Sequence, residues 1–263
     1  MKKLLNILFL IFLMAAVIIL PAFTDLEHHR NVYREFTVEV LNQTDKSLIT
    51  TSEIHELVRK NFGEIKGSPV SIIDIDKMEK LVDGNPYVSA CEVYKTMDCE
   101  LIMKARVREP LVRIANRQGE QFYLDLNGCA MPLNPAHPSH VTLAGGNISE
   151  RLMSIDKSEK PLDKFDRSSV LHQIYPVAYA ISRDEFLESF IDQIYIHENG
   201  EIELVPRVGS QIILLGNGED AAEKLENLKV FYRKVMRNID WNTYKTINLK
   251  YKNQVVCIKN PTL

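Results

Sequence analysis

The sequence predicts an α+β protein in three parts: an N-terminal transmembrane helix, a small domain of order β-α-α-β-β, and a β-rich domain with an antiparallel sheet and packed helices. Three observations predict it. Leu4–Phe23 is an almost wholly apolar run of twenty residues, and at about 1.5 Å per residue a helix of that length crosses the roughly 30 Å hydrocarbon core of a bilayer. Behind it, two capped stretches of helical spacing lie between strand-like runs. From Glu109 onward short alternating runs and turn residues dominate.

Lys2 and Lys3 precede the apolar run and Asp25 and Glu27 follow it, so the positive-inside rule leaves residues 1–3 as a cytoplasmic tail, 4–23 as the span and the bulk of the chain outside. A cleaved secretory signal is the competing reading. The run exceeds the usual length of about 7–15 residues for such signals and lacks a clear A-x-A site, which favours an uncleaved anchor. With 45% apolar and 25% charged residues the whole chain has globular composition, and its net charge of −3 supplies no basic field for nucleic acid. Cys91, Cys99, Cys129 and Cys257 show no CxxC metal spacing and are expected to be mostly free, buried thiols.

Residues 24–35 are polar and without period, a linker that carries the His28-His29 pair. Phe36–Leu41 alternates as a half-buried strand does. Thr50 and Glu53 make a capping box, and Ile54, Leu57 and Val58 follow at helical spacing to about Asn61. Asp74 caps a second helix with Ile75, Met78, Leu81 and Val82 on its apolar side, and Gly84 stands where a left-handed cap is wanted. Tyr87–Lys95 and Cys99–Arg108 are strand-like runs round Thr96, Met97 and Asp98, a hairpin that sets Cys91 opposite a residue near Met103. The first domain thus covers 36–108, and the second 109–263.

In the second domain, Leu111–Ala115 and Gln121–Leu126 flank an Asn-Arg-Gln-Gly turn, and Asn127-Gly128 ends the second strand. A proline-rich crossing (Pro132, Pro135, Pro138) leads to a short strand at Val141–Leu143 and a turn at Gly145-Gly146. Asn147–Asp166 is polar, poorly patterned and expected to be mobile. Ser169–Ile181 predicts a helix that tolerates Pro176 only as a kink or an early turn, and Ser182 with Glu185 a capping box for a short helix to Ser189. Phe190–Ile196, Glu201–Val205 and Gln211–Leu215 form a meander. Ala221–Asn238 is the clearest helix, with Ala222, Leu225, Leu228, Tyr232, Val235 and Ile239 on one face. Tyr244–Leu249 and Gln254–Lys259 close the chain as two strands.

No GxSxG elbow, Walker loop, HExxH or dinucleotide GxGxxG occurs in the sequence, and Gly216-Asn217-Gly218 follows a strand of a sheet that reads as antiparallel. His137 and His140 have helical spacing for a metal, but Pro135 and Pro138 exclude a regular helix there and leave solvated loop histidines. Asp74 with Asp76, and Asp98 with Glu100, could be written as paired carboxylates; capping and solvation explain them more simply. Trp241, Tyr244 and Tyr251 could form a carbohydrate platform, against the simpler packing of the last helix on the closing strands. Asn42-Gln-Thr44 and Asn147-Ile-Ser149 fit a glycosylation pattern that is frequent by chance. No cofactor or metal is called for.

Asn85-Pro86-Tyr87-Val88, with Val93, Leu101 and Glu109-Pro110, resembles the "P-W-V … V … L … E-x-P" passage of the bacterial cell-division family FtsQ, called DivIB in other bacteria. Phe122-Tyr123-Leu124-Asp125 with Gly128 is similar to its "yyiD-x-x-G" hairpin, Val141–Gly145 to its "P-x-L-x-G", and Tyr244–Cys257 to its closing "vDlRy…avr" passage. Asn248 stands where an Asp is common and Lys250 where an Arg is usual, and Lys lacks the bidentate fork of Arg. The cytoplasmic tail is also shorter than in many members.

The resemblance implies a POTRA domain followed by a β-domain, in a non-enzymatic scaffold of the inner membrane at the division septum. The N-terminus would lie in the cytoplasm and the bulk of the chain in the periplasm. Its implied partners are single-span FtsB- and FtsL-like proteins and other divisome components, and its role is to help control septal cell-wall synthesis. The partner-binding residues implied are Thr246, Asn248, Lys250, Tyr251, Lys252, Gln254 and Val256, with the family's Arg-Tyr pair falling on Lys250 and Tyr251. As final strands these runs are expected to form a sheet edge guarded by Lys250, Lys252 and Lys259. A membrane-anchored cell-wall binder or hydrolase, or a POTRA-bearing transport or assembly component, is the alternative.

Overall fold

The computed structural model describes residues 32–152, 162 and 168–261. The described residues divide into two compact units, 32–41 with Ile49–Val107, and Asn42–Leu48 with those from Arg108 onward. Among the described residues no helix is long and apolar enough to cross a membrane. The tail 1–3, the predicted span 4–23, all but the end of the linker 24–35 and most of the segment 147–166 lie outside them.

In the first unit β1 (Glu35–Leu41) alternates as predicted, turning Phe36, Val38 and Val40 towards the core. Helix α1 (Thr51–Phe62) starts at the predicted capping box: Thr50 Oγ1 accepts the Glu53 N–H, and Glu53 Oε2 accepts the Thr50 N–H at 2.8 Å. Helix α2 (Ile75–Asp83) is capped by Asp74, which accepts the Lys77 N–H at 3.1 Å. Gly84 corrects an expectation, because its φ is −59° rather than left-handed. The Gly84 and Asn85 N–H groups satisfy the Lys80 and Val82 carbonyls in one further tight turn, so no reversal is needed.

Strands β2 (Val88–Lys95) and β3 (Glu100–Val107) form the predicted hairpin, in which Cys91 faces Ala105, two residues beyond Met103. Thr96 and Glu100 close a three-residue loop whose last member, Cys99, takes φ +59° and adds the residue that shifts the register. β1 pairs in parallel with β3, giving the order β1-β3-β2. Ile54, Val58, Met78 and Val82 of the helices cover Leu101, Met103 and Ala105 of the central strand.

The second unit is built on β4 (Pro110–Ala115), β5 (Gln121–Asp125), β6 (Ala130–Pro132), β7 (Thr142–Gly146), β8 (Ile191–Ile196), β9 (Ile202–Pro206), β10 (Ile212–Gly216), β11 (Tyr244–Asn248) and β12 (Val256–Lys259). These pair in the order β12-β11-β10-β9-β8-β7-β4-β5-β6. The predicted antiparallel sheet is in fact mixed, with parallel pairs β4/β7, β7/β8 and β10/β11. Helices cause two of these: α3 (Leu171–Ser182) and α4 (Glu185–Phe190) lie between β7 and β8, and α5 (Ala221–Lys234) between β10 and β11. A helical crossover returns the chain to the end from which it started, which makes the next strand parallel.

Three local expectations also change. β6 lies inside the stretch read as a proline crossing, and at the sheet's edge Pro132 loses no ladder bond that matters. The cap of α4 is Asp184, which accepts the Leu187 N–H at 3.1 Å, whereas Ser182 ends α3 and donates to the Tyr179 carbonyl. Pro176 sits inside α3. α5 stops at Lys234 and passes into a 3-10 turn at Met236–Asn238, and it buries Ala221 rather than Ala222, together with Leu225, Leu228 and Tyr232.

The three helices cover one face of the sheet, where Ile114, Phe122, Leu124, Ile194, Leu204, Ile213 and Ile247 meet Leu171, Ile174, Val177, Leu225 and Leu228. At the head of the unit Arg108 forms a buried ion pair with Asp125 at 2.8 Å, while Asp125 Oδ1 accepts the N–H groups of Asn127 and Cys129.

Candidate partner-binding edge

The sheet ends in β6 on one side and in β12 on the other, and the predicted residues lie at the β12 end. β11 is enclosed between β10, parallel, and β12, antiparallel, so its N–H and C=O groups are engaged on both sides. β12 pairs with β11 alone among the described residues, and an end strand leaves alternate N–H and C=O groups facing outward, where they can take an incoming strand.

Of the sequence-predicted residues, Thr246 and Asn248 lie on β11 and can offer only side chains. Asn248 faces Val256 across the ladder and Thr246 faces Ile258, so these four share one face. That face is the one opposite the helices, since Ile247, between them, is fully buried in the core. Val256 is 39% exposed and Ile258 59%. Ile258 was missed in the sequence. Its signal was the i, i+2 spacing from Val256 in an alternating run.

Lys250, Tyr251, Lys252 and Gln254 sit on the turn between the two strands. The Leu249 N–H bonds the Leu214 carbonyl at 2.8 Å, and Asn248 Oδ1 accepts the Lys250 N–H at 2.9 Å, which starts the reversal. Lys250 already meets a carboxylate within its own chain: its Nζ lies 2.7 Å from Glu201 Oε1. That bond holds the Glu201 carboxyl below the usual carboxylate range. Gly216, at φ +84°, makes room for the lysine stem, because a Cβ there would stand 2.9 Å from Lys250 Cγ. Tyr251 is 52% exposed and Lys252 and Gln254 are exposed.

The other candidate constellations are dispersed. Trp241 packs on Tyr232 and Phe190, with ring centroids 5.6 and 6.3 Å apart, and Tyr244 packs on Phe231 at 5.8 Å. Tyr251 lies beyond the far end of β11, roughly 20 Å from Tyr244, so the three rings form no single platform. Gly216-Asn217-Gly218 leads from β10 into α5 and a parallel strand, correcting the antiparallel reading. There Lys224 Nζ donates to the carbonyl and side-chain oxygens of Asn217 at 3.2 and 3.0 Å. His137 and His140 lie in the loop between β6 and β7. No cluster of three or more metal-ligating side chains forms among the described residues.

Residues 109–258, more than half of the chain, match the family model described as FtsQ/DivIB, C-terminal related. Residues 31–106 match the POTRA-like domain model. No curated protein matches the chain.

Proposed function

The chain belongs to the FtsQ/DivIB family, and from that premise we propose that it is a non-enzymatic, membrane-anchored scaffold of bacterial cell division. In this reading FtsB- and FtsL-like single-span proteins are captured outside the cytoplasm, and their capture helps control septal cell-wall synthesis. The observation that carries the proposal is β12, an end strand with two outward apolar side chains beside an exposed tyrosine. A partner strand would continue the sheet, with backbone bonds supplying affinity and Val256, Ile258 and Tyr251 supplying selectivity. Lys250 serves differently from a free cation. It fixes the turn through Glu201, and a partner carboxylate would have to share it or displace that bond.

The test is capture of an FtsB-like partner by the full-length protein in detergent. Tyr251→Ala and Ile258→Lys alter exposed side chains, so folding should persist, and each is expected to weaken capture tenfold or more, about 1.4 kcal/mol. Successive residues of a strand point their N–H groups to opposite sides, so one of Cys257→Pro and Ile258→Pro must delete an outward donor. That variant should lose capture. Unchanged affinity in all four variants would place the binding surface elsewhere.

A further inference from the structure

The end of the three-stranded sheet at which β1 begins carries large apolar side chains that the fold leaves uncovered. Parallel pairing sets Glu35 opposite Glu100, so the turn between β2 and β3 lies at this same end. The loop between α1 and α2 is tied to it as well. Val32 bridges Pro69, the Tyr33 N–H bonds the Ser68 carbonyl at 3.0 Å, the Gly67 N–H bonds the Tyr33 carbonyl at 2.8 Å, and the Arg34 N–H bonds the Cys99 carbonyl at 2.9 Å. Three chain segments therefore converge, and each presents an apolar side chain to solvent: Val32, Ile72 at 70% exposure and Met97, which is fully exposed. Burial of the core explains none of them. Grouped exposure of this kind, rimmed by polar residues, marks a contact surface.

The path of the chain says what that surface faces. β3 runs away from this end and hands the chain onward after Val107, while the entry end receives it from the predicted span. Only eight residues, 24–31, separate Phe23 from Val32, and fully extended they reach at most about 29 Å. We propose that Val32, Ile72 and Met97 form a tip that rests in the interfacial layer of the bilayer anchoring the protein, an inference that relies on the anchored reading above. Arg34, Lys66 and Lys95 are outnumbered by Glu35, Glu64, Asp98 and Glu100 at this end, which leaves no net positive field. Apolar insertion, not attraction to anionic lipid, carries the contact, and added salt leaves it in place.

The full-length chain reconstituted into phosphatidylcholine vesicles with brominated acyl chains provides the test. Met97→Trp in a Trp241→Phe background places a single reporter on the tip, and Leu41→Trp in the same background places one at the far end of β1, about 20 Å away. Ile72→Trp repeats the measurement from the neighbouring loop. Tip reporters are expected to be blue-shifted and quenched at least about threefold more than Leu41→Trp, the depth of an interfacial contact being roughly 5–10 Å. If the chain floats with the vesicles and the reporters are quenched alike, the tip stands off the membrane and the proposal is overturned while the anchor stands. If the chain does not float, the anchored reading fails and the tip falls with it. A blue shift without quenching, seen only when an FtsB-like partner is reconstituted into the same vesicles, would assign the tip to a protein partner and overturn the lipid contact.

Discussion

Burial pushes the Cys91 thiol up to about 12, and the carboxylates of Asp83, Glu79 and Glu92 act in the same direction. A proton is thus bound more tightly in the folded state than in the unfolded one. The resulting stability is fully present below the ordinary thiol range and is lost as pH rises from there towards about 12. In native alkylation followed by mass spectrometry, the half-exposed Cys99 should react while Cys91 stays unmodified until denaturant is added; equal rates would contradict the burial. Asp125 is costly to remove, because it balances the buried Arg108 guanidinium and accepts two backbone N–H groups. Asp125→Ala should lower stability by about 3–5 kcal/mol in urea unfolding, and a loss below about 1 kcal/mol would show that water replaces the pair. The sequence displayed Asp125 within a strand–turn pattern but not its arginine partner, since seventeen residues separate them and only the folded hairpin brings them together.

Helix caps were legible where one side chain and a backbone group three residues on decide the matter. Thr50 and Glu53 are the clearest case, and Thr50→Ala should cost about 1 kcal/mol, read as a lower thermal midpoint. Asp184 was passed over for Ser182 because both stand before the same short helix, and the choice depends on where α3 ends. Strand directions were legible only where a short turn joins two strands, as between β2 and β3 or β8 and β9. Alternation identifies a strand and its two faces, but whether the next strand runs parallel depends on the crossover, and α5 turns β10 and β11 parallel. The final pair of strands was visible as two alternating runs. That β11 is interior and β12 is the end of the sheet follows only from the pairing of β10 with β11. Gly216 shows how an element can depend on one position: Gly216→Ala would meet Lys250 Cγ and strain a left-handed backbone, so it should cost about 1–2 kcal/mol and release Lys250 from Glu201.

At the scale of the molecule, the two units carry different kinds of edge. The first is a three-stranded sheet with helices on one face, and the second a long mixed sheet whose outermost strand bears apolar side chains on the face away from its helices. A scaffold that works by strand capture needs the second kind, placed outside the cytoplasm by the predicted span. Hydrogen–deuterium exchange of the full-length protein, with and without an FtsB-like partner, reads that capture at the backbone. In the free protein alternate amides between Val256 and Lys259 should exchange freely, since they face outward from the end of the sheet. Strand capture predicts that the partner protects those amides while the interior amides of β11 change little. Protection elsewhere in the chain, with β12 still exchanging as in the free protein, would contradict it.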